Sequence, residues 1–184
     1  MGFRLGDRDL ATHLERTRRL SAGDALREVT SCLCRAFGIR HRVVPVSDEP
    51  VSTVGLTDEG ELPFQDYFVN KQCAPVVTGF RFEGSEAARP SPMLQVALDS
   101  GSIDCVILCP SNPFVSIDPI LAIPGLDELT AGNIPVVAVS PIVGGAAIKG
   151  PAAKMMSELG VSPSVIAIAE HYRDFAHGFV IDTA

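Results

Sequence analysis

Ile103-Asp104-Cys105-Val106-Ile107-Leu108-Cys109 and, further along, Pro135-Val136-Val137-Ala138-Val139-Ser140 are the two stretches whose reading decides the fold. Each is a short, nearly unbroken apolar run, rich in β-branched residues and followed by a loop. That is the pattern of a strand buried on both faces. A helical run, Ser91 to Leu98, leads into the first strand. The second is followed by Gly144-Gly145 and then by a helix starting near Pro151, where a first-turn proline is at home. Gly178-Phe179-Val180-Ile181-Asp182 reads as one more strand. Apolar strands alternating with helices predict an α/β class: a three-layer, Rossmann-like, mostly parallel sheet covered on both faces.

Upstream of Pro90 the pattern is mixed. A helix is expected from about Asp9 to Leu20, after the polar loop Gly6-Asp7-Arg8-Asp9. Between Ser21 and Phe37, the residues Ala25, Leu26, Val29, Cys32, Leu33, Ala36 and Phe37 recur at three- and four-residue steps, one face of a second helix. Ser21 with Asp24 can cap its start and Gly38 can end it. Strands are expected at His41 to Val46, Val51 to Leu56 and Val76 to Phe82, and a helical segment at Phe64 to Asn70. No internal repeat or linker divides the chain. The reading is therefore one domain over residues 1–184, with a mixed portion at 1–89 and βα units at 90–184.

With 184 residues, 46% of them hydrophobic and 20% charged, the chain is long enough to bury a core without disulfides or metals. Its net charge of −7 is unevenly spread. Residues 1–42 hold nine arginines against five acids (Asp7, Asp9, Glu15, Asp24, Glu28), and the rest of the chain is strongly acidic. One basic end on an acidic protein suits a small anionic ligand better than a nucleic-acid backbone, which calls for a wide basic surface and aromatic stacking groups. Trp is absent and Tyr occurs twice. Cys32, Cys34, Cys73, Cys105 and Cys109 form no C-x-x-C pair and read as reduced core thiols. The longest apolar stretch, Ile134 to Ile148, is broken by prolines and glycines and is too short to span a bilayer. A cytoplasmic location is the expectation.

In open parallel sheets ligands bind at the carboxyl ends of strands, where loops lead into helix N-termini that favour anions. Two loops here have the composition for it. In Cys109-Pro110-Ser111-Asn112-Pro113-Phe114-Val115-Ser116-Ile117, two prolines stiffen the backbone around a hydroxyl and an amide, and Ser116 lies where it could cap the following helix. Asn and Ser in such a turn can equally serve their own backbone. In the second loop, Ser140 to Pro151, the paired glycines Gly144 and Gly145 precede Lys149. Lys149 is the sole Lys or Arg between Pro90 and Ala153, placed to meet a phosphate or simply to be solvated. The spacing is neither a Walker loop nor a dinucleotide fingerprint. Near the N-terminus, Asp7 or Asp9 could ligate Mg2+, which commonly takes one or two carboxylates plus phosphate oxygens, or Asp9 could cap the helix. No Ser-His-Asp or Cys-His order is recognisable, so the catalytic residues stay unknown.

Three separated motifs carry a resemblance: Phe3-Arg4-Leu5-Gly6-Asp7-Arg8-Asp9-Leu10-Ala11-Thr12-His13, then Pro110-Ser111-Asn112-Pro113-Phe114-Val115-Ser116-Ile117-Asp118-Pro119-Ile120-Leu121, then Ser140-Pro141-Ile142-Val143-Gly144-Gly145 with Lys149-Gly150-Pro151. Together with Phe64-Gln65-Asp66-Tyr67-Phe68-Val69 and His171-Tyr172-Arg173-Asp174, they resemble the 2-phospho-L-lactate transferase family, in the family's order, from Phe3 to Asp182. The resemblance implies a transferase of coenzyme F-420 biosynthesis. It would move a phospholactyl or phosphoenolpyruvyl group from a GDP-activated donor to the deazaflavin Fo, with Mg2+, releasing GMP. It further implies that Ser111, Asn112, Ser116, Gly144, Gly145 and Lys149 hold the donor's nucleotide or phosphates, and that Asp7 and Asp9 hold the metal.

Family members start with a strand and a glycine-rich loop of the type Gly-Gly-Thr-Gly-Gly and continue past the position of Asp182. The expectation is therefore a central portion of a transferase domain, with residues 1–89 near the Fo side, catalytic residues in the family's N-terminal strand and glycine-rich loop that this sequence lacks, and no activity of its own. Absent sheet neighbours would leave strand edges that invite self-association into a homo-oligomer. The other reading is a non-enzymatic nucleotide- or nucleotide-sugar-binding regulator related to the gluconeogenesis-factor family.

Overall fold

The computed structural model describes residues 5–131, 134–144, 146–147 and 151–183. It opens with two helices, α1 (Asp7–Ser21) and α2 (Leu26–Ala36), packed on each other. Ser21 ends α1 instead of starting α2. The start of α2 is closed by Glu28, whose carboxylate accepts from the Ala25 N–H at 3.0 Å. A carboxylate three residues into a helix reaches a free N–H more directly than a serine left behind on the preceding helix. Gly38 does end α2: at φ +69° it lets its own N–H reach Arg35 O and the Ile39 N–H reach Cys34 O, a Schellman turn that β-carbons resist.

Strands β1 (Ser52–Thr57), β2 (Gly60–Pro63) and β3 (Val77–Glu83) form an antiparallel sheet in the order β2-β1-β3. The strand expected at His41 to Val46 does not form. Pro45 removes a ladder donor, and the Val46 carbonyl instead accepts from the Ser91 N–H at 2.7 Å. β2 went unanticipated because its Gly60-Glu61-Leu62-Pro63 has little strand character; the turn at Asp58-Glu59 delivers it onto β1. The Phe64–Asn70 segment is helical, with a π-turn at Asp66–Asn70.

After α3 (Pro92–Asp99) comes the parallel sheet: β4 (Val106–Leu108), β5 (Val136–Val139) and β8 (Gly178–Val180), in the order β4-β5-β8. Between β4 and β5 lie a π-turn (Pro113–Ile117) and the short helices α4 (Asp118–Leu121) and α5 (Glu128–Ala131). Between β5 and β8 lie the two-residue strands β6 (Ile142–Val143) and β7 (Ala146–Ala147), then α6 (Ala152–Glu158) and α7 (Val165–His171). The register pairs Ile107 with Val137 and Val137 with Gly178, and Leu108 with Ala138 and Ala138 with Phe179.

This register sorts the two faces. Leu108, Ala138 and Phe179 pack into a core with Ile117, Met156, Ile168 and Tyr172. Ile107, on the opposite face, is 64% exposed and Val180 50%. The expectation that both faces are covered therefore holds for one face among the described residues. Apolar runs signal strands buried twice over, but here alternate residues meet different surroundings. Cys105 and Cys109 are likewise exposed, Cys32 and Cys34 half-buried, and Cys73 alone is a core thiol; burial pushes its ionisation upward. No described helix is long and apolar enough to cross a membrane.

Candidate functional site

β4 and β5 are neighbours and parallel, so the loops after them leave the same edge of the sheet side by side. The first loop is braced from within. Asn112 caps the π-turn: its side-chain oxygen accepts from the Phe114 N–H at 3.0 Å, and its amide nitrogen points at the Met155 sulfur at 3.5 Å. Pro113 and Ile117 are buried beneath it. Ser116 sits inside the turn with its N–H on the Asn112 carbonyl at 3.0 Å; the residue before α4 is Ile117, so Ser116 does not cap that helix. The difference arises because the π-turn runs directly into α4 and leaves no extended residue to act as a cap. Ser111, half-buried, makes no side-chain hydrogen bond among the described residues, and neither does the Ser116 hydroxyl, so the loop carries two free hydroxyls.

The second loop turns on Ser140, which is 5% exposed. Its hydroxyl oxygen accepts from the Ile142 N–H at 3.1 Å, while its own N–H reaches the Val180 carbonyl at 2.9 Å. β6 then pairs antiparallel with β7 through Gly144, whose φ of +56° favours glycine. The Gly144 N–H donates to the Asp182 carboxylate at 3.0 Å, so the end of β8 is tied to the glycine turn. Gly145 and Lys149 lie outside the described residues.

Residues missed by sequence reasoning tie this edge to the antiparallel sheet. Met155 of α6 is fully buried with Tyr67, Cys73 and Val77, and Val115 of the first loop packs on the same cluster. Glu158 accepts from the Val77 N–H at 3.0 Å, and Lys154 pairs with Glu158 while donating to the Pro75 carbonyl at 2.9 Å. Burial pushes the Lys154 ammonium down, but Glu158 and Tyr67 outweigh it and hold it above the usual lysine range. The Tyr67 hydroxyl is buried without a partner among the described residues, and burial raises its ionisation. The adjacent apolar residues Met155 and Met156 on a short helix were the available signal; Ser140 opens a loop legible in the sequence, and Asp182 had no signal.

Asp7 and Asp9 stand in the first turn of α1, both exposed. Asp9 accepts from the Gly6 N–H at 3.3 Å, the capping role. Helical residues two apart do not face each other, so the pair does not close on one ion. Asp7, without a hydrogen bond among the described residues, has a carboxylate available for a single metal bond, which suits Mg2+ held mainly by phosphates and water. No group of three metal-ligating side chains occurs among the described residues.

Comparison with known proteins agrees with the motifs. The family model described as 2-phospho-L-lactate transferase CofD matches residues 1–184. A 2-phospho-L-lactate transferase of Methanosarcina mazei is 41% identical over 181 residues, covering 98% of this chain and 59% of that protein. A phosphoenolpyruvate transferase of Streptomyces griseus is 41% identical over 187 residues, covering 98% of this chain and 58% of that protein. The chain thus spans under two thirds of the length of these relatives. Among solved structures, protein BH3568 of Bacillus halodurans superposes with a TM-score of 0.61 at 15% identity, over 98% of this chain and 56% of that one, a likeness of fold.

Proposed function

The chain belongs to the 2-phospho-L-lactate transferase family, and on that premise we propose that it forms the donor-binding part of a transferase acting in coenzyme F-420 biosynthesis in the cytoplasm. The donor is a GDP-activated three-carbon acid, phospholactyl or phosphoenolpyruvyl, and the acceptor is the deazaflavin Fo. In the reaction the acceptor hydroxyl oxygen attacks the phosphorus that bears the three-carbon acid. The anhydride bond to the other phosphorus breaks, GMP leaves with the bridging oxygen, and the hydroxyl proton is released. Such chemistry asks a protein for positioning and charge neutralisation more than for covalent help.

The observation that carries the reading is the pair of loops leaving adjacent parallel strands, one rigid and hydroxyl-bearing, the other a glycine turn. In this reading Ser111 binds the donor directly, Asn112 and Ser116 keep the first loop in shape, and the Gly144-Gly145 turn with Lys149 receives the diphosphate. Mg2+, held by Asp7 and donor phosphates, would supply further neutralisation of phosphate charge. The exposed faces and edges of the short parallel sheet are compatible with pairing of two copies.

Two measurements test this. The full-length transferase that carries this sequence, incubated with Fo, Mg2+ and the GDP-activated donor, is expected to release GMP in step with product, and absence of GMP overturns the transferase reading. Calorimetric titration with GDP is expected to show binding that Ser111→Ala and Lys149→Ala each weaken about tenfold, the size of one charged hydrogen bond; unchanged affinity in both removes the loops from the donor site.

A further inference from the structure

The loops after β4 and β5 contain, among their described residues, no arginine or lysine, yet the chain carries a dense group of cations elsewhere. On α2, Arg27, Ser31 and Arg35 follow one another at four-residue steps and so share a face. The segment 39–45 folds back across that face, bringing His41 and Arg42, and Met93 of α3 closes one side. Together they line a cavity of about 150 Å3 whose lining contains three guanidinium groups and an imidazole but no carboxylate.

Neutralisation of this group is incomplete. Arg27 is paired with Asp48, outside the lining. Arg35 reaches only the Ser31 hydroxyl, at 3.5 Å, and Arg42 and His41 have no ion-pair partner among the described residues. In a chain of net charge −7, positive charge gathered in a concavity raises the local concentration of anions. Ile39, Val43 and Met93, all exposed, supply apolar walls beside the charges. Guanidinium forks match phosphate oxygens in pairs, and a phosphoryl group has at least three oxygens to share among several cations where a carboxylate has two. The volume is below the roughly 300–1,000 Å3 of pockets that enclose a whole drug-sized ligand, so what the cavity itself encloses is an anionic head group.

We propose that this cavity is an anion site for a phosphoryl group, either free phosphate or the head of a phosphate monoester whose small apolar body lies on Ile39, Val43 and Met93. It shares no lining residue with the two sheet-edge loops and stands whether or not GMP release is observed.

The test is calorimetric titration of the 184-residue chain with inorganic phosphate and, separately, with phenyl phosphate, at constant ionic strength set by chloride. Saturable binding is expected, weakened about tenfold or more by Arg35→Ala and by Arg42→Ala, as for one lost charge-assisted hydrogen bond. Ser111→Ala with Asn112→Ala is expected to leave it unchanged. Arg35→Lys with Arg42→Lys, which keeps charge and fold but removes the forks, should fall between. Tighter binding of phenyl phosphate identifies a monoester as the source, and equal binding identifies free phosphate. The proposal is overturned if phosphate binds no better than chloride, if the double Arg→Ala variant retains full affinity while its circular dichroism is native, or if the Ser111 and Asn112 variant alone abolishes binding.

Discussion

The loop after β4 and the loop after β5 leave the same edge of one sheet and are held by different balances of burial and polar links. The first is anchored by burial: Pro113 and Ile117 sit in the interior, Val115 packs against the Met155 cluster, and Asn112 closes the turn. The second joins a buried anchor, Ile142 in the same core as Ile117, to a larger set of polar links: the Ser140 hydroxyl on Ile142, the Asp182 carboxylate on Gly144, and a hairpin of two residues a side. Apolar burial is non-directional and survives small shifts, whereas each polar link depends on one geometry.

Removing the buried anchor should separate the two loops most clearly. Ile117→Ala is expected to destabilise the protein by about 2–5 kcal/mol, as for other large-to-small core changes, read by urea unfolding. A loss under about 1 kcal/mol would mean that burial does not hold the first loop. Gly144→Ala should lower stability by about 1–2 kcal/mol, the usual penalty for a side chain in left-handed backbone. A β-carbon there meets open space among the described residues, so backbone strain is the whole expected effect, and thermal unfolding checks it.

Asn112→Ala removes a cap and is expected to lose about 1 kcal/mol, with Asn112→Asp keeping most of it. Asp182→Asn is expected to change global stability by no more than about 0.5 kcal/mol, because the link is exposed, while hydrogen exchange of the Gly144 amide accelerates and that of Phe114 does not. Faster exchange at both amides would show the loops to be one unit. The smallest effect at neutral pH concerns Tyr172, beneath the first loop, whose phenol burial pushes well above the usual tyrosine range. A raised folded-state value means that the unfolded chain loses its proton first, so stability is intact below about pH 10 and falls above it. Unfolding midpoints from pH 8 to 11 should decline less in Tyr172→Phe.

Much of this architecture is written locally. The apolar runs at Val106–Leu108 and Val136–Val139 and the glycine at Gly38 each carry their own signal, because strand burial and left-handed turns restrict residue type at one position. The strand that failed, His41 to Val46, has the right residues but no partner, and a strand exists only as half of a ladder. Among the site residues, Asn112 and Gly144 are legible as turn formers, whereas Ser140 and Asp182 gain meaning from what they touch.

By itself the sequence determined the α/β class, the three parallel strands in their order along the chain and the two turn-rich loops that follow the first two of them, since those follow from hydrophobic period and turn chemistry within a dozen residues. The tertiary structure alone decided which sheet face is covered, that Met155 joins the first loop to the antiparallel sheet, and that Arg27, Arg35 and Arg42 line one cavity. Those outcomes depend on contacts between residues far apart in the chain, and no local propensity encodes the distance between two side chains that meet only after folding.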